Sequence, residues 1–339
     1  MSVNPKTGHI ITDLMIIGGG VNGCGIARDA AGRGLTVTLV EMDDLGSATS
    51  SASTKLFHGG LRYLEYFKFR LVRESLIERE VLLRSMPHIS WPIRFVIPFD
   101  KSMQFDALTP ATKWLNRIMP WLKSRRPFWV IRLGLFCYDT LGARKILPPT
   151  KSLNLRNSLE GAPLKKKFKR GLEYSDCWVE DSRLVILNAR DAEKRGATIL
   201  PRVKLIGAER TYNYWTLSLQ DQNTGEEWQQ DASYLVNASG PWIQDVLGEK
   251  LGLKTPDSVR LVRGSHLVVK RQYEHDKAYF FQGKDGRIIF AIPYEENFTL
   301  IGTTDVDHDL PQTKPFCTSD EQEYLLKFAS EYFQTPIYK

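Results

Sequence analysis

The sequence has 339 residues, of which 42% are hydrophobic and 25% charged, so it can bury a large core shared by two sub-domains. No stretch has the biased composition of a disordered chain, which excludes that class. The 46 Lys and Arg residues outnumber the 39 Asp and Glu residues and give a net charge of +7. This charge favours anionic partners without choosing among phosphorylated metabolites, acidic lipid and nucleic acid.

Neither a disulfide framework nor a metal site is indicated, because the cysteines lack CxxC or metal-ligand spacing, and a reducing cytoplasm fits. The four cysteines are Cys24, Cys137, Cys177 and Cys317. Residues 1–12 lack the features of a secretory signal, so we expect no export. No run of about 18 uncharged apolar residues occurs, since even the apolar segment 128–138 contains Arg132, so no membrane-spanning helix is expected.

The first elements along the chain form a βαβ unit. The apolar run 14–17 predicts a buried strand that enters a tight glycine turn. Residues 21–33 predict a helix that ends at Gly34, and residues 35–40 alternate as a second strand. This order of elements is typical of an α/β fold with a parallel sheet.

The middle of the chain mixes helices, a strand and a connection. Residues 66–86 predict a helix ended by Pro87, and residues 93–98 predict a strand. The polar segment 152–169 predicts a surface connection. Asp181 is predicted as the N-cap of a helix that runs to residue 195.

The second half of the chain is rich in strand patterns. Three or four short alternating runs predict a β-meander that returns the chain to the parallel sheet: 203–208, 214–219, 226–230 and 234–237. Three further strands predict an antiparallel sheet in a second domain: 260–270, 287–293 and 298–302. No internal repeat is visible.

A dinucleotide-binding fingerprint occupies the first turn. Gly18, Gly20 and Gly23 have GxGxxG spacing between a predicted strand and a predicted helix, and Glu41 ends the next strand. The glycines allow the turn, the approach of the pyrophosphate and close packing of the helix, and the helix N-terminus favours the phosphates. Glu41 would accept hydrogen bonds from the adenosine ribose. A second fingerprint is absent, so we expect one dinucleotide as a built-in cofactor.

A long motif follows Glu41, running from Asp43 to Glu65 and including Thr49-Ser50-Ser51 and His58-Gly59-Gly60-Leu61-Arg62-Tyr63. Further matches lie at 171–178, 236–242, 263–266 and 301–305. In these motifs and in their order the sequence resembles the FAD-dependent glycerol-3-phosphate dehydrogenases of the glycine/D-amino acid oxidase superfamily.

The resemblance implies an α/β fold, with a Rossmann-like FAD-binding domain, a β-meander and an antiparallel-sheet substrate domain. We expect the FAD-binding domain at 1–90 and 171–259, joined by the strand near 298–305. The substrate-binding region is then expected at 91–170 and 260–339. In the family a later segment supplies another arginine and a lysine for the substrate phosphate, before a helical C-terminal domain. The chain ends before these, so we expect it to be truncated, with an incomplete phosphate site.

FAD is the expected cofactor. Small hydroxyl side chains and a glycine pair suit backbone that lies against an isoalloxazine ring and donates hydrogen bonds to its edge. Besides the fingerprint glycines and Glu41, the candidate cofactor-binding residues are Thr49, Ser50, Ser51, Lys55, Leu56, Gly59, Gly60, Val203, Ala238, Gly240, Trp242, Thr304 and Asp305. The alternatives are a solvent-exposed Ser/Thr loop, an ordinary strand-to-helix turn after residue 237 and, for Lys55, a surface ion pair.

The resemblance implies oxidation of sn-glycerol 3-phosphate at C2 to dihydroxyacetone phosphate, with hydride passing to flavin N5. Arg62 can clamp the phosphate through two hydrogen bonds, and Tyr63 can donate another. His58 is a candidate base because imidazole titrates near neutral pH, and His266 competes for this role. A structural role for either histidine is the alternative.

A basic aromatic stretch, residues 113–138, contains six basic residues, no acidic ones, and Trp114, Trp121 and Trp129. This pattern favours contact with an anionic membrane surface, and the family's use of membrane quinone agrees with it. The alternative is a helix pair packed in the core with solvated arginines. No nucleic-acid motif accompanies the charge.

We therefore expect a cytoplasmic flavoprotein, peripherally bound to the inner face of the cytoplasmic membrane, that passes electrons to quinone in glycerol metabolism. Rival readings are an oxygen-reducing glycerol-3-phosphate oxidase, an amine oxidase of the same superfamily, and a fragment that binds FAD without turnover. The sequence leaves the oligomeric state open, a homodimer included.

Overall fold

The structure, a computed structural model, describes residues 2–3, 10–101, 109–122, 125–142, 145–211 and 213–338. The expectation about residues 1–12 therefore lies mostly outside the described residues. The chain divides into two compact units. Only their described residues are discussed below. Unit 1 comprises Met1–Lys55, Glu180–Leu261 and His308–Thr313, and unit 2 comprises Leu56–Val179, Val262–Asp307 and Lys314–Lys339.

The α helices are α1 (Val21–Gly32), α2 (Phe69–Ser85), α3 (Pro110–Ile118), α4 (Phe128–Leu141), α5 (Asp181–Lys194), α6 (Ile243–Asp245) and α7 (Ser319–Ser330). The strands are β1 (Ser2–Val3), β2 (Ile10–Ile17), β3 (Val37–Glu41), β4 (Leu56–Phe57), β5 (Ser90–Phe99), β6 (Lys151–Asn154), β7 (Arg170–Val179), β8 (Thr198–Pro201), β9 (Val203–Arg210), β10 (Trp215–Asp221), β11 (Glu227–Asn237), β12 (Val262–Arg263), β13 (His266–Lys270), β14 (Ala278–Gln282), β15 (Ile288–Tyr294), β16 (Phe298–Gly302) and β17 (Val306–Asp307). Short 3₁₀ turns include Thr49–Ser51, Leu61–Tyr66, Pro120–Leu122 and Gly240–Trp242, and Val246–Lys250 forms a π-helical turn.

Unit 1 is built on a sheet whose described strands run in the order β8-β3-β2-β11-β10-β9, with β1 added beside β2. The first four strands are parallel and the meander β9-β10-β11 is antiparallel. Small residues of α1, Gly23, Cys24 and Ala27 among them, are buried, which lets the helix lie close to the sheet and to α5. The predicted Rossmann-like α/β architecture with a β-meander is confirmed.

Unit 2 is built on a second sheet, ordered β13-β16-β15-β14-β5-β7-β4, with β6 beside β7. Alternate residues of β5 enter different cores, since Phe95 packs with α2 and α4 whereas Val96 packs with α7. Helices therefore cover both faces of this sheet. The sheet is mixed rather than antiparallel, because β14 pairs with β5 in parallel.

Several elements differ from the sequence prediction. The runs 226–230 and 234–237 form one strand, β11, because the intervening Asp231 is buried and accepts a hydrogen bond from Thr216 Oγ1 (2.7 Å). The predicted strand 260–270 is interrupted between β12 and β13. The segment 152–169 is not only a surface connection, since Leu155, Leu164 and Phe168 are buried in the core beside α7.

The boundaries of the two units also differ from the expected domains. Residues 56–90 and 171–179 belong to unit 2, because β4 and β7 pair within its sheet. The strand near 298–305 likewise lies in unit 2, where β16 pairs with β13 and β15. Sequence motifs do not determine which strands pair, so the expected boundaries did not anticipate this sheet.

Candidate functional site

The glycine turn of unit 1 is shaped by close backbone contacts. Gly18 has φ +110°, and a Cβ there would lie 2.5 Å from the carbonyl oxygen of Ala238. A Cβ on Gly23 would lie 1.8 Å from the carbonyl oxygen of Gly18. At Gly20 the nearest atom to such a Cβ is Ser50 Oγ, at 3.1 Å. The structure thus brings the fingerprint, the Ser/Thr segment and the second turn together.

Two side chains complete this turn. Glu41 Oε2 accepts the N–H of Gly19 (2.6 Å), and Oε1 accepts that of Asp43 (2.9 Å). Ser50 Oγ accepts the N–H of Val21 (3.0 Å), the first residue of α1. The N-cap, Gly20, has no side chain to cap the helix. The N-terminus of α1, the glycine backbone and the Glu41 carboxylate with its further lone pairs fit the diphosphate and ribose of a dinucleotide.

Asp181 does not act as the N-cap of α5. It is the first residue of the helix, and its carboxylate accepts hydrogen bonds from Ser53 Oγ (2.8 Å), Lys55 Nζ (2.8 Å) and its neighbour Ser182 N (2.9 Å). Lys55 is mostly buried, with 20% of its side chain exposed. Lys55 is thus held in an ion pair within unit 1, so its contact with a cofactor stays a prediction.

The second turn of unit 1 follows β11. Asn237 Oδ1 accepts the hydroxyl of Ser239 (2.6 Å), and its Nδ2 donates to Ile243 O (3.0 Å). These bonds fix the backbone from Ala238 to the 3₁₀ turn that contains Gly240 and Trp242. Val203, also proposed for the cofactor, is buried at the start of β9.

The candidate substrate residues of unit 2 follow the edge strand β4, which ends at Phe57 and contains Leu56. Gly59 and Gly60 are buried, and Gly60 has φ +68°. The 3₁₀ helix that comes next leaves Arg62 and Tyr63 exposed, Tyr63 by 50%. Two polar side chains that could bind an anion are therefore exposed on a short 3₁₀ turn.

His58 is bound through its ring to the same turn. Its Nδ1 accepts the N–H of Gly60 (2.9 Å), so the neutral imidazole carries its proton on Nε2 and can donate there but not accept. His58 also lines a cavity of about 420 Å³ with Glu74 and Glu78, whose carboxylates would repel a phosphate. Both features weigh against His58 as the base.

His266 begins β13, which with β4 forms the two opposite edges of the unit 2 sheet. It pairs with Gly302 of β16, and a Cβ on Gly302 would lie 2.2 Å from the ring carbon Cδ2 of His266. The imidazole therefore rests directly on the strand backbone, and only glycine allows this. Sequence reasoning could not rank the two histidines because it did not show these ring contacts.

Glu321 was not found by sequence reasoning, although it organises the segment around His266. Its Oε1 accepts the hydroxyls of Ser265 and Thr304 (both 2.8 Å), and its Oε2 accepts from Arg263 (3.1 Å) and from Thr318 N and Oγ1 (3.0 Å each). Burial alone would raise the pKa of Glu321, but these hydrogen bonds lower it to about 2. Thr304 is thus a structural partner of the buried carboxylate.

Asp305 follows Thr304 and is exposed. Contact of either residue with a cofactor stays a prediction. The capping-box spacing of Thr318 and Glu321 was the sequence signal available for this site.

The basic aromatic stretch lies on α3, a 3₁₀ turn and α4. Its large apolar side chains are strongly exposed: Trp114 (57%), Ile118 (51%), Trp121 (71%), Trp129 (55%), Leu133 (54%) and Phe136 (62%). These six residues, called the aromatic face below, exclude the alternative of a fully packed helix pair. Lys123 lies outside the described residues. Among the described helices, none has the length and apolar content that crossing a bilayer requires.

Comparison with known proteins gives consistent results. The family model described as FAD dependent oxidoreductase matches residues 13–337. The chain is 46% identical over 325 residues to D-erythritol 1-phosphate dehydrogenase of Brucella abortus, which covers 96% of this chain and 60% of that protein. It is 44% identical over 326 residues to aerobic glycerol-3-phosphate dehydrogenase of Escherichia coli, with the same coverage.

Among solved structures, glycerol-3-phosphate dehydrogenase from Bacillus halodurans complexed with FAD matches with a TM-score of 0.67 and 26% identity. The match covers 97% of this chain and 54% of that one. The chain therefore spans about 60% of the length of these curated relatives.

Proposed function

Since the chain belongs to the FAD dependent oxidoreductase family, whose cofactor is FAD, we propose that it carries out the oxidation of sn-glycerol 3-phosphate to dihydroxyacetone phosphate. The observation that carries the proposal is the exposed pair Arg62 and Tyr63 on a short 3₁₀ turn, in a chain 44% identical to a glycerol-3-phosphate dehydrogenase. Arginine is suited to bind a phosphate through two parallel hydrogen bonds.

Each protein group has a defined task in this proposal. Bound FAD supplies the acceptor for the hydride that leaves C2. Arg62 binds the substrate phosphate and Tyr63 donates a further hydrogen bond, so the C2 hydrogen is fixed in one direction. His58 and His266 are both candidates to take the proton of the C2 hydroxyl, because the N–H of Gly60 occupies Nδ1 of His58, and His266 lies on the edge of the unit 2 sheet opposite β4.

D-Erythritol 1-phosphate is a second candidate substrate. A relative with this specificity in its name is 46% identical to the chain, slightly more than the glycerol-3-phosphate dehydrogenase of Escherichia coli. Both compounds present a terminal phosphate and secondary hydroxyls, so the same phosphate clamp serves either one. They differ in the length of the carbon chain beyond the reacting hydroxyl.

A membrane quinone is the proposed electron acceptor, and an anionic membrane surface the proposed partner. The aromatic face supports this, because exposed tryptophans beside basic side chains favour the interface of an anionic bilayer. The alternative electron acceptor is molecular oxygen, which would make the protein an oxidase. An amine substrate is less well supported, since the exposed Arg62 would repel a protonated amine.

Anaerobic reduction of the bound flavin tests the proposal. The visible absorbance of the FAD-loaded protein should bleach with sn-glycerol 3-phosphate or D-erythritol 1-phosphate, and not with glycerol or an amino acid. Admitting oxygen or a soluble quinone afterwards shows which acceptor restores the colour. Protein that binds FAD but is bleached by neither phosphate would contradict the proposed reaction.

Arg62→Ala separates substrate binding from cofactor binding. Loss of the clamp should raise the substrate concentration for half-maximal reduction by about 100-fold or more, with FAD content near that of the wild type. Arg70→Ala is the matched control, because Arg70 is also an exposed arginine of unit 2 and, within the described part of the chain, forms its ion pair with Glu74 on its own helix. Equal loss of FAD and of substrate binding in Arg62→Ala would assign Arg62 a structural role.

A further inference from the structure

We propose that Tyr138 of α4 is a positioning residue for the substrate loop, defined here as residues 58–66, and that it acts through the amide of Gly59. The inference rests on the proposed function, in which this loop binds the substrate phosphate. The Tyr138 hydroxyl lies 2.7 Å from Gly59 N and accepts its hydrogen. Gly59 directly follows His58 and precedes Arg62 by three residues, so its position sets the start of the loop.

The Tyr138 hydroxyl also forms a hydrogen bond with a buried ion pair, Asp176 and Arg79. Tyr138 donates to Asp176 Oδ1 (2.7 Å), and the same oxygen accepts from Arg79 Nη1 (2.6 Å). The side chains of Arg79 and Asp176 are 3% and 4% exposed. Burial, together with the nearby Asp176 charge, raises the pKa of Tyr138 well above its usual value. Tyr138 therefore stays protonated, donates to Asp176, and keeps a lone pair directed at Gly59.

Packing against Leu76 and the Tyr138 ring also holds the backbone of Gly59 in place. A Cβ on Gly59 would lie 2.3 Å from Leu76 Cδ2 and 2.9 Å from a ring carbon of Tyr138. The backbone at Gly59 is thus pressed against α2 and α4 with no room for a side chain. An amide buried in such a contact needs an acceptor, and the Tyr138 hydroxyl supplies it.

The far end of the substrate loop is held by the same part of the chain. Arg126, two residues before α4, binds Glu65 through two contacts, Nη1 to Oε1 at 2.6 Å and Nη2 to Oε2 at 2.7 Å. Burial lowers the pKa of Arg126. The negative charge of Glu65 raises this pKa, and the positive charge of Arg62 lowers it further. The charge of Arg62 therefore lies near that of Arg126, between the two points of attachment.

Between these points Leu61 and Leu64 pack against the core of unit 2, whereas Arg62 and Tyr63 are exposed. Leu61–Tyr66 is a short 3₁₀ helix with exposed side chains at Arg62 and Tyr63, and such turns are weak when isolated. Gly60, which precedes it, has the greatest backbone freedom of any residue type. Holding Gly59 and Glu65 fixes the direction of the phosphate-binding side chain. A substrate that must present one C–H to a hydride acceptor is sensitive to small errors in this direction.

The experiment compares Tyr138→Phe with Tyr332→Phe in the full chain loaded with FAD. Tyr332 is the matched control because its buried hydroxyl also accepts a backbone amide, that of Gln282 (3.1 Å), away from the substrate loop. Hydrogen exchange of peptides within 56–66 is measured first. Tyr138→Phe should speed exchange there by about tenfold, the factor for one lost buried hydrogen bond, and Tyr332→Phe should not. Unchanged exchange in Tyr138→Phe, or equal acceleration in both variants, overturns the proposal.

Flavin reduction by sn-glycerol 3-phosphate is the second readout. Tyr138→Phe should retain its FAD and lower the limiting rate of reduction by about tenfold or more, whereas Tyr332→Phe should match the wild type. A normal rate in Tyr138→Phe despite faster exchange overturns the positioning role. If the wild type is not reduced by either phosphate, the proposed function fails, and the exchange result alone then decides whether Tyr138 orders the loop.

Arg126→Lys provides a variant that keeps the charge and removes the paired hydrogen bonds to Glu65. It should accelerate exchange at the end of the loop, around residues 63–66, more than at Gly59. Acceleration spread evenly over unit 2 would count against two separate points of attachment.

Discussion

Replacing Glu321 by Gln should weaken unit 2 strongly, because one buried carboxylate accepts five hydrogen bonds there. An amide keeps the volume but has a single acceptor oxygen, so its NH₂ group would face donors. It also leaves Arg263, whose side chain is 18% exposed, without its ion-pair partner. Breaking a buried charge pair costs about 3 kcal/mol or more, so the unfolding midpoint in urea should fall by about 1 M.

The effect should depend on pH in a defined direction. The pKa of Glu321 is about 2 in the folded chain against an ordinary value of 4.5, so the folded state binds its proton less readily than the unfolded state. The stability from this group is therefore complete above about pH 4.5 and is lost as the pH falls towards 2. Between pH 7 and pH 3 the wild type should lose about 2 kcal/mol from this source, which Glu321→Gln cannot lose.

Urea unfolding at both pH values measures this difference, with Glu323→Gln as the control. Glu323 is an exposed glutamate on the same helix, two residues further on. Its replacement should leave both the midpoint and the pH dependence almost unchanged. Equal sensitivity to acid in the wild type and Glu321→Gln would show that this carboxylate does not organise the segment around His266.

Two further predictions concern the cofactor turn and the aromatic face. Gly18→Ala should lose FAD and destabilise unit 1 by roughly 2–3 kcal/mol, because its Cβ meets the Ala238 carbonyl at 2.5 Å and φ is +110°. Gly25→Ala, on α1 with no atom within 4 Å of its Cβ, should be neutral or slightly stabilising, and thermal unfolding with FAD absorbance compares the two. Trp129→Gln with Phe136→Gln should reduce co-sedimentation with anionic vesicles by roughly tenfold, whereas Leu159→Gln, an exposed apolar residue elsewhere in unit 2, should not. Equal co-sedimentation of the wild type with anionic and with zwitterionic vesicles would argue against an anionic membrane surface as the partner.

The parts of the fold that sequence predicted well are those set by neighbouring residues. The strand, glycine turn and helix around Gly18–Gly23 follow one another directly, and each carries its own signal in spacing or composition. The mixed sheet of unit 2 gave weaker signals. Its strand β7 is buried over nearly its whole length and contains Glu173 and Asp176, so it lacks the alternation of a half-exposed strand.

The hydrogen-bond partners of these buried carboxylates could not be predicted, because they lie far away in the sequence. Asp176 binds Arg79, which lies 97 positions earlier, and Glu321 binds Ser265, which lies 56 positions earlier. Such pairs arise only when the sheet has brought distant segments together. A different limit applied to His58, whose Nδ1 accepts the amide hydrogen of Gly60 only two residues away, because the local backbone conformation that allows this bond was not specified by the sequence.

One side of helix α4 is exposed to solvent and the other side is buried in unit 2. Trp129, Leu133 and Phe136 point outwards, while Leu135 and Tyr138 are buried. Each residue of an α helix advances its side chains by about 100°, so inserting or deleting one residue between Phe128 and Tyr138 would turn the later side chains away from Gly59. The number of residues in this segment therefore sets both which side chains are exposed and whether the Tyr138 hydroxyl reaches Gly59.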